Sequence, residues 1–383
     1  MKAPSILIIL FILYLPVTKG QDKPSPVGLN GYVSNLQSMM FEDVQGDWIN
    51  DNLIHNRLNF RLYAGSKVTF ALELRNRFFM GDMISLDPAY ASRLAADDGL
   101  VDLTTNIFNE NSFILNSRID RFWIDITMGP VQLKAGRQRI NWGQTFVWNP
   151  NDIFNAYSYF DIDYPERPGS DAVRLQVYPS FSSTLEVAAA MNSEEDLTLA
   201  GMYRFNKWGY DIQFLAAMVD SEDIVFGTGW SGAIGSTSFR GEFSWFQPRD
   251  NFSDTTGTGL FTIGFDRAFS GNGMLQLQAM YCNEPISFSS FNDFYSENMS
   301  AKDLAFSEFS LFGNVTYPVT PLFKLSLSAI WYPGLDGFYA GPSTDISLAQ
   351  NLDFSFIWQY FNAELNNERT KMNLLYIRMK YSF

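Results

Sequence analysis

The chain has 383 residues, 46% of them hydrophobic and 16% aromatic, with Lys+Arg 27 against Asp+Glu 41. A net charge of -14 excludes the broad basic face that phosphate binding needs. The single cysteine, Cys282, excludes an internal disulfide framework and a cysteine metal site.

Lys2, the apolar run Ile6 to Val17 and the small-residue close Thr18-Lys19-Gly20 read as a signal peptide over 1–20, with cleavage before Gln21. The run is too short for a membrane helix, which needs ~20 residues. No cysteine follows it to carry a lipid anchor. The remainder, 21–383, shows no linker, charge block or composition shift, and reads as one domain.

From Val27 onward the chain breaks into period-two segments. Leu58, Phe60 and Leu62 oppose Arg57, Asn59, Arg61 and Tyr63; after the turn at Gly65, Val68, Phe70, Leu72 and Leu74 oppose Lys67, Thr69, Glu73, Arg75 and Arg77. Strands are predicted at 27–39, 53–64, 66–79, 113–126, 130–140, 170–179, 181–192, 196–206 and 209–219. They continue at 222–233, 236–247, 257–268, 272–283, 304–317, 320–332, 338–348, 351–362 and 370–383. Bulges are expected near Asp120-Arg121 and Gly136, where the alternation breaks. Tight connections, as at Gly129-Pro130 or Lys207-Trp208, alternate with longer ones at 80–112, 141–169 and 284–303. Strands this long exceed the usual five or six residues of a sandwich and suit tilted membrane strands of ~9–11 residues plus their ends. The fold class is therefore all-β: a transmembrane antiparallel up-and-down β-barrel of about eighteen strands.

Ala135 to Gly169 cannot be one strand. It turns at Asn141-Trp142-Gly143 and again at Asn149-Pro150-Asn151-Asp152. Its aromatics, from Trp142 and Trp148 to Tyr164, would be a large apolar patch on an outer loop. An inward-folded long loop inside the barrel is the expected arrangement.

The chain ends on the apolar row Ile377, Met379, Tyr381, Phe383. This ending resembles the assembly signal of bacterial outer-membrane barrels, and with the leader and loop rhythm the mature chain resembles that class. The aromatic loop after the fifth strand resembles the constriction loop of porins. Gly136 to Gly143 and Asn149 to Asp152 resemble the G-R-Q-x-x-x-W-G and N-P-x-D segments of a porin-like family, domain of unknown function 1302. The resemblance implies the cell outer membrane as location. It implies membrane lipid and lipopolysaccharide as surroundings, barrel assembly machinery during biogenesis, and a homo-oligomer or outer-membrane complex as further association.

Arginine facing lipid at midplane costs ~2–4 kcal/mol, so Arg57, Arg61, Arg75, Arg77, Arg174, Arg204 and Arg240 are placed in a wet lumen. Arg137, Arg139, Trp142 and Trp148 open the inward loop, and Asp152, Asp161, Asp163 and Glu166 set carboxylates against the arginine wall. Such a transverse field would select small hydrophilic solutes; the competing arrangement pairs the same charges to close a plugged lumen. Function is expected to be passive porin-type diffusion, with a closed structural or partner subunit of an outer-membrane assembly as the alternative. No cofactor and no catalytic group are implied, since His55 is the one histidine and no G-x-S-x-G segment occurs. The acidic clusters Asp97-Asp98, Glu194-Glu195-Asp196 and Glu222-Asp223 are expected as solvated loop tips.

Overall fold

The computed structural model describes residues 25–250, 252–286, 299–365 and 367–383. The leader over 1–20 and most of the loop over 284–303 lie outside the described residues. The first strands are β1 (Val27–Phe41), β2 (Ile49–Ala64), β3 (Val68–Gly81), β4 (Thr104–Glu110), β5 (Phe113–Met128), β6 (Val131–Gln138) and β7 (Ser170–Ser180). Next come β8 (Ser183–Met191), β9 (Leu197–Lys207), β10 (Tyr210–Val219), β11 (Asp223–Ile234), β12 (Thr237–Pro248) and β13 (Thr258–Phe269). The last are β14 (Gly273–Cys282), β15 (Phe309–Thr320), β16 (Phe323–Tyr332), β17 (Gly337–Ala349), β18 (Leu352–Leu365) and β19 (Glu368–Ser382).

Sequential strands pair antiparallel, and β1 also pairs with β19, from Tyr32 opposite Ser382 to Phe41 opposite Asn373. Phe383 completes the seam by exchanging backbone hydrogen bonds of 2.9 Å with Gly31. The wall is thus closed on itself, without the edge strands of an open sheet. Among the described residues eighteen strands form the wall. The exception is β4, which pairs only with the first half of β5, whose other edge is taken by β3. The predicted loop 80–112 therefore carries structure that period-two patterning did not reveal: two helical turns, α1 (Asp82–Leu86) and α2 (Tyr90–Ala95), and then β4.

The distribution of polarity is the reverse of a soluble sandwich. Phe226, Leu327, Trp331 and Phe214 are more than half exposed, whereas Arg57, His55, Gln213, Glu242 and Thr262 are at most 1% exposed. The terminal row Ile377, Met379, Tyr381 and Phe383 lies on the exposed side. In water this would be a continuous apolar patch around the molecule; in a bilayer it is the belt that a spanning barrel requires.

A bulge sits where the alternation breaks at Asp120. Arg121 opposes Glu73 and Ile119 opposes Leu74, leaving Asp120 without an opposite number. The extra residue lets two consecutive side chains, Asp120 and Arg121, both be buried on the inner side. The expected bulge at Gly136 is not formed, because Trp123 and Ala172 pair with it in unbroken register. Gly136 has φ +110°, and a Cβ there would lie 2.2 Å from the Phe122 carbonyl oxygen. Its break in the pattern reflects backbone conformation instead of an extra residue.

Candidate functional site in the barrel interior

An eighteen-strand wall encloses more space than its own inward side chains fill. The segment between β6 and β7, residues 139–169, makes contacts with strands on several sides of this wall. Trp142 donates from Nε1 to Glu186 on β8 (2.8 Å) and accepts at its carbonyl from Gln213 on β10 (2.7 Å). On β12, the Glu242 carboxylate accepts from the backbone N–H groups of Gln144, Thr145 (2.7 Å) and Asn151 (2.9 Å), and from Thr145 Oγ1 (3.0 Å). Ser244 donates to the Pro150 carbonyl (2.9 Å), and Asn151 Nδ2 donates to the Thr228 carbonyl on β11 (3.0 Å). Gln278 on β14 accepts from Val147 N (2.8 Å) and donates to the Trp148 carbonyl (3.0 Å).

The segment then reaches the opposite arc of strands. Gln359 on β18 donates to the Phe160 carbonyl (3.2 Å). Asp163 meets Arg75 on β3 at 2.6 Å and His55 Nδ1 on β2 at 3.2 Å. Glu166 accepts from the Tyr32 hydroxyl on β1 (3.2 Å) and lies 3.9 Å from Arg57. Arg121 returns a guanidinium to the Glu166 and Arg167 carbonyls at 3.1 and 2.6 Å. Burial alone would raise Asp163, but Arg75 and His55 hold its carboxyl well below the usual carboxylate range.

The apolar side chains of the segment are buried too. Ile140, Trp142, Val147, Trp148 and Phe160 join one cluster with inward residues of the wall, among them Leu215, Leu260, Met280, Phe312 and Tyr339. Leu304, Ala305 and Phe306 belong to it as well and are 4%, 1% and 4% exposed. Three consecutive buried residues cannot alternate, so β15 starts at Phe309 and not at the predicted 304. A pocket between the two loops is lined by Trp148, Tyr157, Phe160, Met299, Phe306 and Tyr332.

Most of the arginines expected in the lumen are paired. Arg57 binds Asp120 and Glu73 (2.6 Å), Arg61 reaches Glu73 at 3.4 Å, and Arg77 donates to Asn116 at 3.1 Å. Arg174 lies 3.7 Å from Glu186, Arg204 donates to Gln213 (2.8 Å), and Arg240 pairs with Asp266. Arg139 stands over the Tyr157 ring at 5.9 Å. Arg137 is separate from this group, clamped by Asp97 (2.7 Å) and Asp171 (2.8 Å).

Of the loop carboxylates, Asp163 and Glu166 meet wall arginines. Asp161 instead accepts from the N–H groups of Asp163 (3.0 Å) and Tyr164 (3.2 Å), closing a turn. Asp152 is fully buried, and burial pushes its carboxyl up to about 8 in spite of Arg139, so near neutral pH it is largely uncharged.

Two acidic clusters depart from the expected solvated tips. Asp97 is 1% exposed at its side chain and accepts from Leu103 N (2.8 Å) and Gly99 N (3.0 Å) besides Arg137; Asp223 is buried and pairs with Lys302 at 2.9 Å. The residues that sequence reasoning missed are Glu186, Gln213, Glu242, Ser244, Gln278 and Gln359. Each is a polar residue at the middle of an apolar-alternating strand, the same signal that located the arginines.

No family model and no curated protein matches this sequence. The two segments likened to domain of unknown function 1302 therefore stand alone. Solved structures match nearly the whole chain. OccAB3 of Acinetobacter baumannii superposes with a TM-score of 0.62 at 11% identity, covering 93% of this chain and 99% of its own. OccK8 (OprE) of Pseudomonas aeruginosa gives 0.60 at 10%, covering 93% and 98%. A BenF-like porin from Pseudomonas fluorescens Pf-5 gives 0.59 at 10%, covering 93% and 99%. The chain has the outer-membrane porin fold.

Proposed function

We propose that this chain, folded as an outer-membrane porin barrel, is a passive diffusion channel for small hydrophilic solutes, narrowed by residues 139–169. The observation that carries the reading is that one segment bonds to Glu242 and Gln278 on one arc of the wall, and to Gln359, Arg75 and His55 on another. A chain tethered at such separated places crosses the lumen, and whatever passes must pass beside it. Because most inward arginines are ion-paired, selectivity belongs to the less compensated cations, Arg61, Arg174 and Arg204, on β2, β7 and β9. Positive groups in a confined aqueous passage favour anions.

Purified protein in planar bilayers is expected to give steady ohmic openings with a reversal potential displaced toward anions in a salt gradient. Replacing Arg61, Arg174 and Arg204 together with Gln moves that potential toward zero; an unmoved potential removes the selectivity assignment. The buried apolar cluster around Trp148 and Phe160 supports a second reading, a closed barrel serving as a structural or partner subunit. Absence of openings from protein that still shows a heat-dependent gel shift selects that reading.

A further inference from the structure

We propose that Glu242 is the positioning residue that sets the aperture of the channel. The inference rests on the reading of 139–169 as the constriction, and adds which wall residue holds it there. Glu242 lies at the middle of β12, is 0% exposed, and among the described residues has no ion-pair partner. A buried carboxylate without a counter-charge persists only where hydrogen bonds replace its water.

Those bonds come from the segment itself. Three backbone N–H groups, of Gln144, Thr145 and Asn151, and the Thr145 hydroxyl converge on the two carboxylate oxygens. Four donors on one carboxyl group replace the water that burial removes, and converging N–H groups form a nest for its oxygens. The loop builds the nest locally, as Gly143 N donates to Asn141 Oδ1 (3.0 Å) and closes the turn that precedes Gln144. Of the other tethers of this half, those through Gln213, Thr228, Ser244 and Gln278 join neutral groups, while Glu186 (2.8 Å, from Trp142) and Arg240 (3.3 Å, to the Gln144 carbonyl) each make a single bond to the segment where Glu242 accepts several. At the far end the polarity is reversed, since there the loop supplies the anion, Asp163, to Arg75.

The two anchors are therefore chemically independent. Loss of Glu242 frees the 144–151 half while Asp163 keeps the other half docked, so the passage widens without losing the loop.

The test uses full-length protein in planar bilayers on a Cys282→Ala background, beside a variant with 140–168 replaced by a short Gly/Ser turn. Glu242→Ala is expected to conduct more than the parent and less than the shortened variant, with an unchanged heat-dependent gel shift. A second tether then restores the parent value. A Cβ at Gly229 would lie 3.0 Å from Asn151 Nδ2, so Asn151→Cys with Gly229→Cys, oxidised, is expected to return Glu242→Ala to parental conductance. Reduction is expected to reopen it.

If Glu242→Ala fails to fold, Glu242→Gln, which keeps one acceptor oxygen, is expected to show a smaller rise. Parental conductance in the Glu242 variants beside a raised value in the shortened variant overturns the assignment of Glu242 alone. A rise that the oxidised tether leaves in place overturns it as well. Parental conductance in the shortened variant overturns the constriction reading itself.

Discussion

Replacing residues 140–168 with a short Gly/Ser turn is expected to raise single-channel conductance several-fold. The replacement is geometrically direct, because Gln138 on β6 already pairs with Ser170 on β7 and the two strand ends need only a tight connection. The wall groups it uncovers, among them Gln213, Glu242, Gln278 and Arg75, are polar and become hydrated instead of being left dry. A barrel of eighteen strands without residues 140–168 is wide enough for an aqueous channel. Unchanged conductance would place the narrowest point elsewhere.

Arg57→Ala is expected to give the largest loss of stability among single substitutions of the wall. Its guanidinium is 1% exposed and binds Asp120, whose side chain is 0% exposed, together with Glu73 at 2.6 Å and Asn59 at 3.0 Å. Removing one partner of a buried pair costs ~3–5 kcal/mol, of which Arg118 at 4.0 Å from Asp120 and Arg61 at 3.4 Å from Glu73 offset a part. Arg57→Lys keeps the charge and loses the planar fork, and falls between. The measurement is the temperature at which the compact, unboiled gel band converts to the unfolded one. Equal conversion temperatures for Arg57→Ala and the parent would show that the cluster does not stabilise the wall.

Much of the wall was legible because a spanning strand must obey a strict period. The segment predicted at 113–126 is β5, Phe113–Met128, and that at 351–362 is β18, Leu352–Leu365. The bulge at Asp120 was legible for the same reason, as a break in an otherwise rigid alternation. Gly136 gave the same surface sign from a different cause, a positive φ in unbroken register, and a one-dimensional pattern does not separate the two. β4 was missed because it pairs along only half of β5 and its row is short.

The interior was only partly legible. Mid-strand arginines declare their side through the cost of facing lipid, so Arg57, Arg75 and Arg77 could be assigned to the inner row. Asp163 was set against the arginine wall without its particular partner, and Asp120 was not, because both approach these arginines from distant parts of the chain. Asp97 read as an exposed acidic tip for the same reason, since its clamp to Arg137 is a tertiary contact. Glu242 carried the same mid-strand signal as the arginines, and only the folded segment shows what it binds.

The central claim is that the apolar rows meet acyl chains and the polar rows meet enclosed water. Ser326 and Leu327 are neighbours on β16 with opposite aspects. Leu327 is 55% exposed on the outer face, while Ser326 bonds Thr316 at 3.0 Å on the inner one. Spin labels on Cys at each position, on a Cys282→Ala background in lipid vesicles, report collision with oxygen, which concentrates in lipid, and with a water-soluble nickel chelate. The label at 327 is expected to collide with oxygen and escape nickel, and the label at 326 to do the reverse. Nickel access at 327 equal to that at 326 would contradict the membrane barrel and the channel with it.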